Sequence, residues 1–133
     1  MTQTVLADTD VISFALKRDT RAGLFLPFLS GKQLCVSFMT LAELEHWALR
    51  RRWGEARRAD MARYLEDVVV LPCDEVLCRT WAEVTFRAEG DGRPISCADA
   101  WIAATALHYD LPLVTNNAAH LAGITGLRVH GPA

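Results

Sequence analysis

Thr4-Val5-Leu6-Ala7, running straight into Asp8-Thr9-Asp10, is the stretch that decides the fold. It has strand length, it does not alternate apolar with polar, and two acids follow at its carboxyl end; such a run belongs to a strand covered on both faces. Leu34-Cys35-Val36-Ser37-Phe38, Val68-Val69-Val70-Leu71, Leu113-Val114-Thr115 and Leu127-Arg128-Val129 repeat the pattern. Between the first four lie longer segments of helical spacing: Leu41, Leu44 and Ala48 fall at i, i+3 and i+7, and Val76, Trp81 and Val84 with Ala82 line part of a face between residues 74 and 88. Residues 98 to 109 are apolar nearly all round, as in a buried helix. Strands alternating with helices predict an α/β fold, a three-layer sandwich with a parallel sheet between helices. The segment from Thr20 to Gly31 is expected to be partly helical and to break or restart at Pro27, and Gly90-Asp91-Gly92-Arg93-Pro94 reads as a loop.

The length, 133 residues, is that of one domain spanning 1–133, and 51% hydrophobic with 23% charged residues is a globular composition. No apolar run approaches the ~20 residues of a membrane span, and the opening residues carry neither a basic nor an apolar leader. A cytoplasmic protein without a membrane partner is expected. The cysteines, Cys35, Cys73, Cys78 and Cys97, lack paired metal-ligand spacing and read as reduced core thiols. A net charge of −2 excludes a molecule that draws in nucleic acid by total charge. Six of the 14 basic residues nevertheless fall between Arg50 and Arg63, a local basic stripe.

Parallel sheets bind ligands at the carboxyl ends of their strands, so the residues after each run matter most. They are Asp8-Thr9-Asp10, Thr40-Leu41-Ala42-Glu43, Asp74 and Thr115-Asn116-Asn117, with Asp99 at the head of the buried helix. Helix capping is the competing explanation. Thr40-x-x-Glu43 and Ser96-x-x-Asp99 fit the capping box, Asp10 could cap the helix from Val11 to Leu16, and Asp74 the helix after Pro72. Asp8 is harder to account for in this way, because a lone carboxylate in the crevice needs a partner. If Asp8, Glu43 and Asp99 converge, a divalent ion relieves their repulsion, and oxygen ligands suit Mg²⁺ or Mn²⁺.

At these residues the sequence resembles the PIN-domain ribonucleases, most closely the VapC-type toxins of bacterial toxin-antitoxin pairs. Val5-Leu6-Ala7-Asp8-Thr9-Asp10-Val11-Ile12-Ser13, Thr40-Leu41-Ala42-Glu43-Leu44, Pro94 to Leu107 and Leu113 to Asn117 carry the resemblance, in order and over nearly the whole chain. It implies a PIN-like sheet of about five parallel strands with the first central, a metal-dependent ribonuclease using Mg²⁺ with Mn²⁺ able to substitute, a homodimer and a small cognate antitoxin. The implied catalytic set is Asp8, Glu43, Asp99 and Asn117. Asp8 and Asp99 would bind the metal directly, Glu43 would hold a water or a second ion, and Asn117 falls where the family has a fourth acid. An amide there supplies an oxygen without a charge.

Thr9, Asp10, Thr115 and Asn116 are candidates to support that set, while His120 reads as a surface residue. The RNA backbone would lie on Arg50, Arg51, Arg52, Arg57 and Arg58, because phosphate contacts come from arginine and lysine. The same stripe could instead be a solvated helix face paired with Glu55, Asp60 and Glu66, or a surface for the antitoxin. Trp47, Trp53, Trp81 and Trp101 are expected to pack rather than stack bases. Two other classes remain. Asp8-Thr9-Asp10 also resembles the opening motif of haloacid-dehalogenase-type phosphatases, which need a late lysine, whereas the only lysines are Lys17 and Lys32. A PIN-like module that binds RNA or antitoxin without cutting is the non-enzymatic alternative.

Overall fold

The structure is a computed structural model and describes residues 2–132. Five strands form one parallel sheet in the order β3-β2-β1-β4-β5, with β1 Thr4–Ala7 at the centre. Flanking it are β2 Gln33–Ser37, β3 Val69–Leu71, β4 Leu113–Val114 and β5 Val129–His130. Leu6 pairs with Cys35 on one side and Leu113 on the other, so the register places Asp8 immediately beyond the middle of the sheet.

The central strand serves two cores, which is why its sequence does not alternate. Val5 and Ala7 join Val11, Ile12 and Phe14 of α1 (Thr9–Leu16), Leu44 of α3 (Phe38–Arg50) and Met61 of α4 (Glu55–Glu66) on one face. Leu6 joins Ile102 and Ala106 of α6 (Cys97–His108) and Leu121 of α7 (Ala118–Leu121) on the other. Helix α5 (Glu75–Gly90) packs outside α6, whose Ala100, Ala103 and Ala104 face it and are buried. Small side chains at these positions let the two helices approach closely. A 3₁₀ turn, Thr20–Phe25, leads into the short α2, Leu26–Leu29, with Pro27 in its first turn, so the restart expected at Pro27 is present.

Several local expectations change. Asp8, not Asp10, caps α1, accepting from the Val11 N–H at 3.1 Å. Ser37, not Thr40, caps α3 through the Met39 N–H, so Thr40 lies inside the helix and is buried. Ser96 and Asp74 cap α6 and α5 as expected, receiving the Asp99 and Leu77 N–H groups. On α5 Val84 is buried and Trp81 half-buried as expected, but Leu77 takes the buried place expected of Val76, which is 47% exposed, and Ala82 faces outward. Leu127 belongs to a turn onto Ile124, and the last strand forms two residues later than expected. Cys35 is a core thiol, but Cys73, Cys78 and Cys97 are exposed. The Cys73 and Cys78 sulfurs meet at 3.8 Å because they flank the Asp74 cap, at the positions where apolar side chains often staple a helix start. No helix among the described residues is long and apolar enough to cross a membrane.

Candidate active site

The candidate acids lie at the carboxyl edge of the sheet, on or beside the helices that begin there. Asp8 ends β1 and is 8% exposed. One of its oxygens serves the Val11 N–H and the other accepts the Thr115 hydroxyl, which in turn accepts the Asn117 N–H at 2.9 Å. Thr115 is fully buried just beyond β4, and its own N–H continues the ladder to the His130 carbonyl. Sheet pairing thus fixes the hydroxyl that fixes Asp8.

Glu43 lies a turn and a half into α3 and is half-buried. Its Oε1 accepts the Thr9 hydroxyl at 2.7 Å, and the same hydroxyl is 2.9 Å from that of Thr40. Glu43 is therefore not spent on capping. Thr40, which reads from sequence as a cap, is the buried post on which Thr9 rests. Asp99 stands in the first turn of α6, partly exposed, with its backbone tied to Ser96. Asp10 is exposed in the first turn of α1, and Asn116 and Asn117 are exposed at the mouth of the crevice. The Asn117 side chain makes no capping bond to α7.

The electrostatics show which groups face one another. Burial, opposed by Thr115 and the Val11 N–H and assisted by the charge on Asp10, pushes the Asp8 carboxyl up to about 6. Burial also raises Glu43; Thr9 works against this, and the charges of Asp99 and Asp10 add to it. Four carboxylates therefore share one field, Asp10 among them, while Asn117 adds none. Among the described residues no three His, Cys, Asp or Glu side chains converge closely enough to cage an ion. The chemistry of the donors nonetheless fits a hard divalent cation: all are oxygen ligands, two are held by hydroxyls, and two are pushed upward, first by burial and then by neighbouring carboxylates. Neither lysine is at this edge, since Lys17 follows the far end of α1 and Lys32 precedes β2, which removes the group a haloacid-dehalogenase-type phosphatase requires.

Asp10, Asn116 and Asn117 are exposed and Glu43 and Asp99 partly so, so solvent reaches this edge. A cavity of about 1160 Å³ lies elsewhere, between α5 and the segment around α7, lined by Phe86, Arg87, Ile124 and the exposed His120.

The protein-family model described as "PIN domain" matches residues 5–123. The chain belongs to the PIN-domain family. Among its relatives, Ribonuclease VapC1 of Haemophilus influenzae strain R2866 is 30% identical over 125 residues, covering 92% of this chain and 93% of the relative. The tRNA(fMet)-specific endonuclease VapC of Shigella flexneri is 26% identical, with coverage of 92% and 93%. The solved structure of VapBC-1 from nontypeable Haemophilus influenzae superposes with a TM-score of 0.83 at 28% identity, covering 97% of this chain and 98% of that one. The five-stranded parallel PIN fold expected from sequence is therefore present, with the first strand central. In this PIN domain the Arg50–Arg63 stripe is broken up: Arg50, Arg51 and Arg52 end α3, Arg57, Arg58 and Arg63 lie along α4, Arg58 pairs with Glu45 at 3.9 Å, and Arg63 pairs with Asp60. Trp47 and Trp53 pack against the core and Trp81 stacks on Trp101, as expected of packing residues.

Proposed function

We propose that this PIN domain is the toxin of a toxin-antitoxin pair, an endoribonuclease that hydrolyses RNA phosphodiester bonds with Mg²⁺, or Mn²⁺ in its place, at Asp8, Glu43 and Asp99. The observation that carries this reading is the pair of buried threonine clamps, Thr115 on Asp8 and Thr9 on Glu43, which hold two electrostatically unfavourable carboxylates facing the charges of Asp10 and Asp99. A divalent ion there would be held by Asp8 and Asp99, with Glu43 beside them. When bound it supplies charge neutralisation on the phosphoryl group and an activated water.

The chain's own residues do the rest. Thr115 and the Val11 N–H hold both oxygens of Asp8, so the carboxylate cannot swing away when its proton leaves. Thr9 fixes one oxygen of Glu43 and leaves the other to orient a water in line with the leaving oxygen. Asp10 contributes the fourth negative charge at a site where Asn117 has none, and Asn117 with Asn116 offers amide groups to an outer hydration layer or to the substrate. The edge is open, as an RNA strand requires. Arg50, Arg51, Arg52, Arg57 and Arg58 supply backbone contacts at the other end of α3.

The partners follow the same reading: an RNA substrate, a small antitoxin and a second copy of the chain. Relatives named as a tRNA endonuclease and as a VapBC complex support the first two. The second copy is what the likeness to the VapC-type toxins implies.

The deciding experiment incubates the full chain and Asp8→Asn with total cellular RNA, with Mg²⁺ or Mn²⁺ and with chelator. Discrete fragments requiring both the metal and Asp8 are expected. Intact RNA in every lane, from folded protein free of antitoxin, would favour the module that binds without cutting.

A further inference from the structure

The acidic edge cannot attract RNA by itself, because four carboxylates repel phosphate and the whole chain carries −2. Positive charge gathered elsewhere must provide the affinity. The far ends of α1 and α3 gather it. Lys17, at the end of α1, and Arg51, at the end of α3, lie against the same ring: the Lys17 Nζ is 5.9 Å and the Arg51 Cζ 5.3 Å from the centre of Trp47. Arg57, in the first turn of α4, stands 5.0 Å over Trp53. Among the described residues none of these three forms an ion pair, whereas Arg58 and Arg63 in the same stripe do, and Arg21 nearby is held by Asp19. The three sense one another: partial burial and then the charges of Arg51, Arg57 and Arg21 push the Lys17 amine down, with only Asp19 opposing.

The ordinary explanation of cations at two helix ends is the helix dipole, which suits Lys17 and Arg51. Its size does not suffice. Two C-termini contribute roughly half a negative charge each, against three full positive charges, so about two remain unmatched. The aromatic faces under the cations hold their stems in place and leave their outer surfaces to solvent.

We propose that Lys17, Arg51 and Arg57 form one preorganised phosphate-binding patch that holds the RNA backbone away from the cut. The proposal rests on the ribonuclease reading and redraws its binding surface: Lys17 enters from another element, while Arg58, already paired with Glu45, drops out. The distance fits a short strand. Arg51 follows Glu43 by eight residues on α3, about 12 Å along the axis, which roughly three or four stacked nucleotides would span. An acidic protein segment is the competing occupant, and the test separates the two.

Binding of a 5′-fluorescein 20-nucleotide RNA and of a 4-nucleotide RNA is followed by anisotropy in chelator, at 50 to 300 mM NaCl, for the full chain and for K17A/R51A/R57A. Three lost phosphate contacts should make the salt slope for the 20-mer shallower by about 2, and Kd at 100 mM should rise roughly 30-fold; the 4-mer, short enough to sit on the patch alone, should weaken as well. Arg63→Ala, on the same helix but paired with Asp60, should stay within about twofold. Arg57→Ala alone, at an exposed position of α4, should make the slope shallower by about 0.7; this covers a failure of the triple variant to fold. An unchanged slope, or an equal loss in Arg63→Ala, overturns the patch. So does a triple variant that loses binding of a fluorescein-labelled polyglutamate peptide but not of RNA, which would assign the surface to an acidic protein. Cleavage is not needed for the readout. A chain that cuts RNA with an unchanged slope refutes the patch alone, whereas one that shows the slope change but cuts nothing refutes the ribonuclease reading alone.

Discussion

Two threonine hydroxyls set the chemistry of this site at the level of single residues. Thr115 donates to Asp8 and so lowers a carboxyl that burial has lifted to about 6. Replacing it with valine keeps the shape of the strand end and removes the donor, so Asp8 should titrate above about 6, and the acid limb of the pH–rate profile should move to higher pH. The loss at neutral pH should be roughly 10- to 100-fold, as for other groups that orient a metal ligand. A profile that keeps its position would deny Thr115 this role. Asp99→Asn tests the opposite arrangement, a carboxylate whose helix does not depend on it. Because Ser96 supplies the cap, the variant should melt within a degree or two of wild type yet lose cleavage by roughly 100-fold or more. Retained activity would remove Asp99 from the metal ligands. The acids were legible in the sequence because each follows an apolar run or heads an apolar helix. Thr40 was not, since Thr40-x-x-Glu43 has the spacing of a capping box, and only the fold reveals that Ser37 has already taken the cap and that Thr40 instead supports Thr9.

Between elements, the site depends on how strand ends are held level. Four strand runs could be read in place from sequence, β1 because a strand serving two cores needs apolar residues on both faces, Val5 and Ala7 against Leu6, whereas the last strand forms two residues beyond the start of its apolar run. The helical faces were less legible. The first position of the α5 face was misplaced because Val76 and Leu77 are equally apolar and only the packing on α6 chooses Leu77. Gly131 shows a constraint that no periodicity carries. It follows β5, and a Cβ there would run into the Thr115 carbonyl, with the Ala118 side chain also 3.8 Å away. Backbone cannot yield as a flexible side chain can, so Gly131→Ala should push Thr115 and its hydroxyl away from Asp8. The expected result is a modest loss of stability, of about 1–3 kcal/mol, with a loss of cleavage approaching that of Thr115→Val. Full activity in Gly131→Ala would mean that the β4 edge tolerates displacement without moving Asp8.

Across the whole molecule, Asp8, Asp10, Glu43 and Asp99 lie at the carboxyl edge of the sheet, while Lys17 and Arg51, which form no ion pair among the described residues, lie at the far ends of α1 and α3. Sequence showed the basic residues as a run along the chain, but which of them act together depends on helix ends meeting in space, so Lys17 lay outside the run. The proposed homodimer gives one prediction at this scale: the chain should show the mass of a dimer in light scattering, and a monomer's mass would overturn that part of the reading. The acidic edge gives another, in which the sign matters. Asp8 titrates at 3.8 in the unfolded chain and at about 6 in the fold, so the folded protein holds this proton more tightly. The stabilisation is fully present below about pH 3.8 and is lost as pH rises through 6. At 1.36 kcal/mol per pKa unit this amounts to about 3 kcal/mol, and Glu43 acts in the same direction. Asp19, held down to about 2 chiefly by its hydrogen bonds from Arg21, has the opposite sign, but its effect is confined below about pH 4. In chelator the melting temperature should therefore fall by about 10 °C between pH 4.5 and 7.5. Mg²⁺ binds the deprotonated carboxylate and should restore much of that loss at pH 7.5, where ordinary surface binding would not. Asp8→Asn carries no titrating group at this position, so it should show a shallower fall and a weaker response to Mg²⁺. Identical melting curves for wild type and Asp8→Asn at both pH values, with and without Mg²⁺, would mean that Asp8 is neither strained by burial nor relieved by a cation.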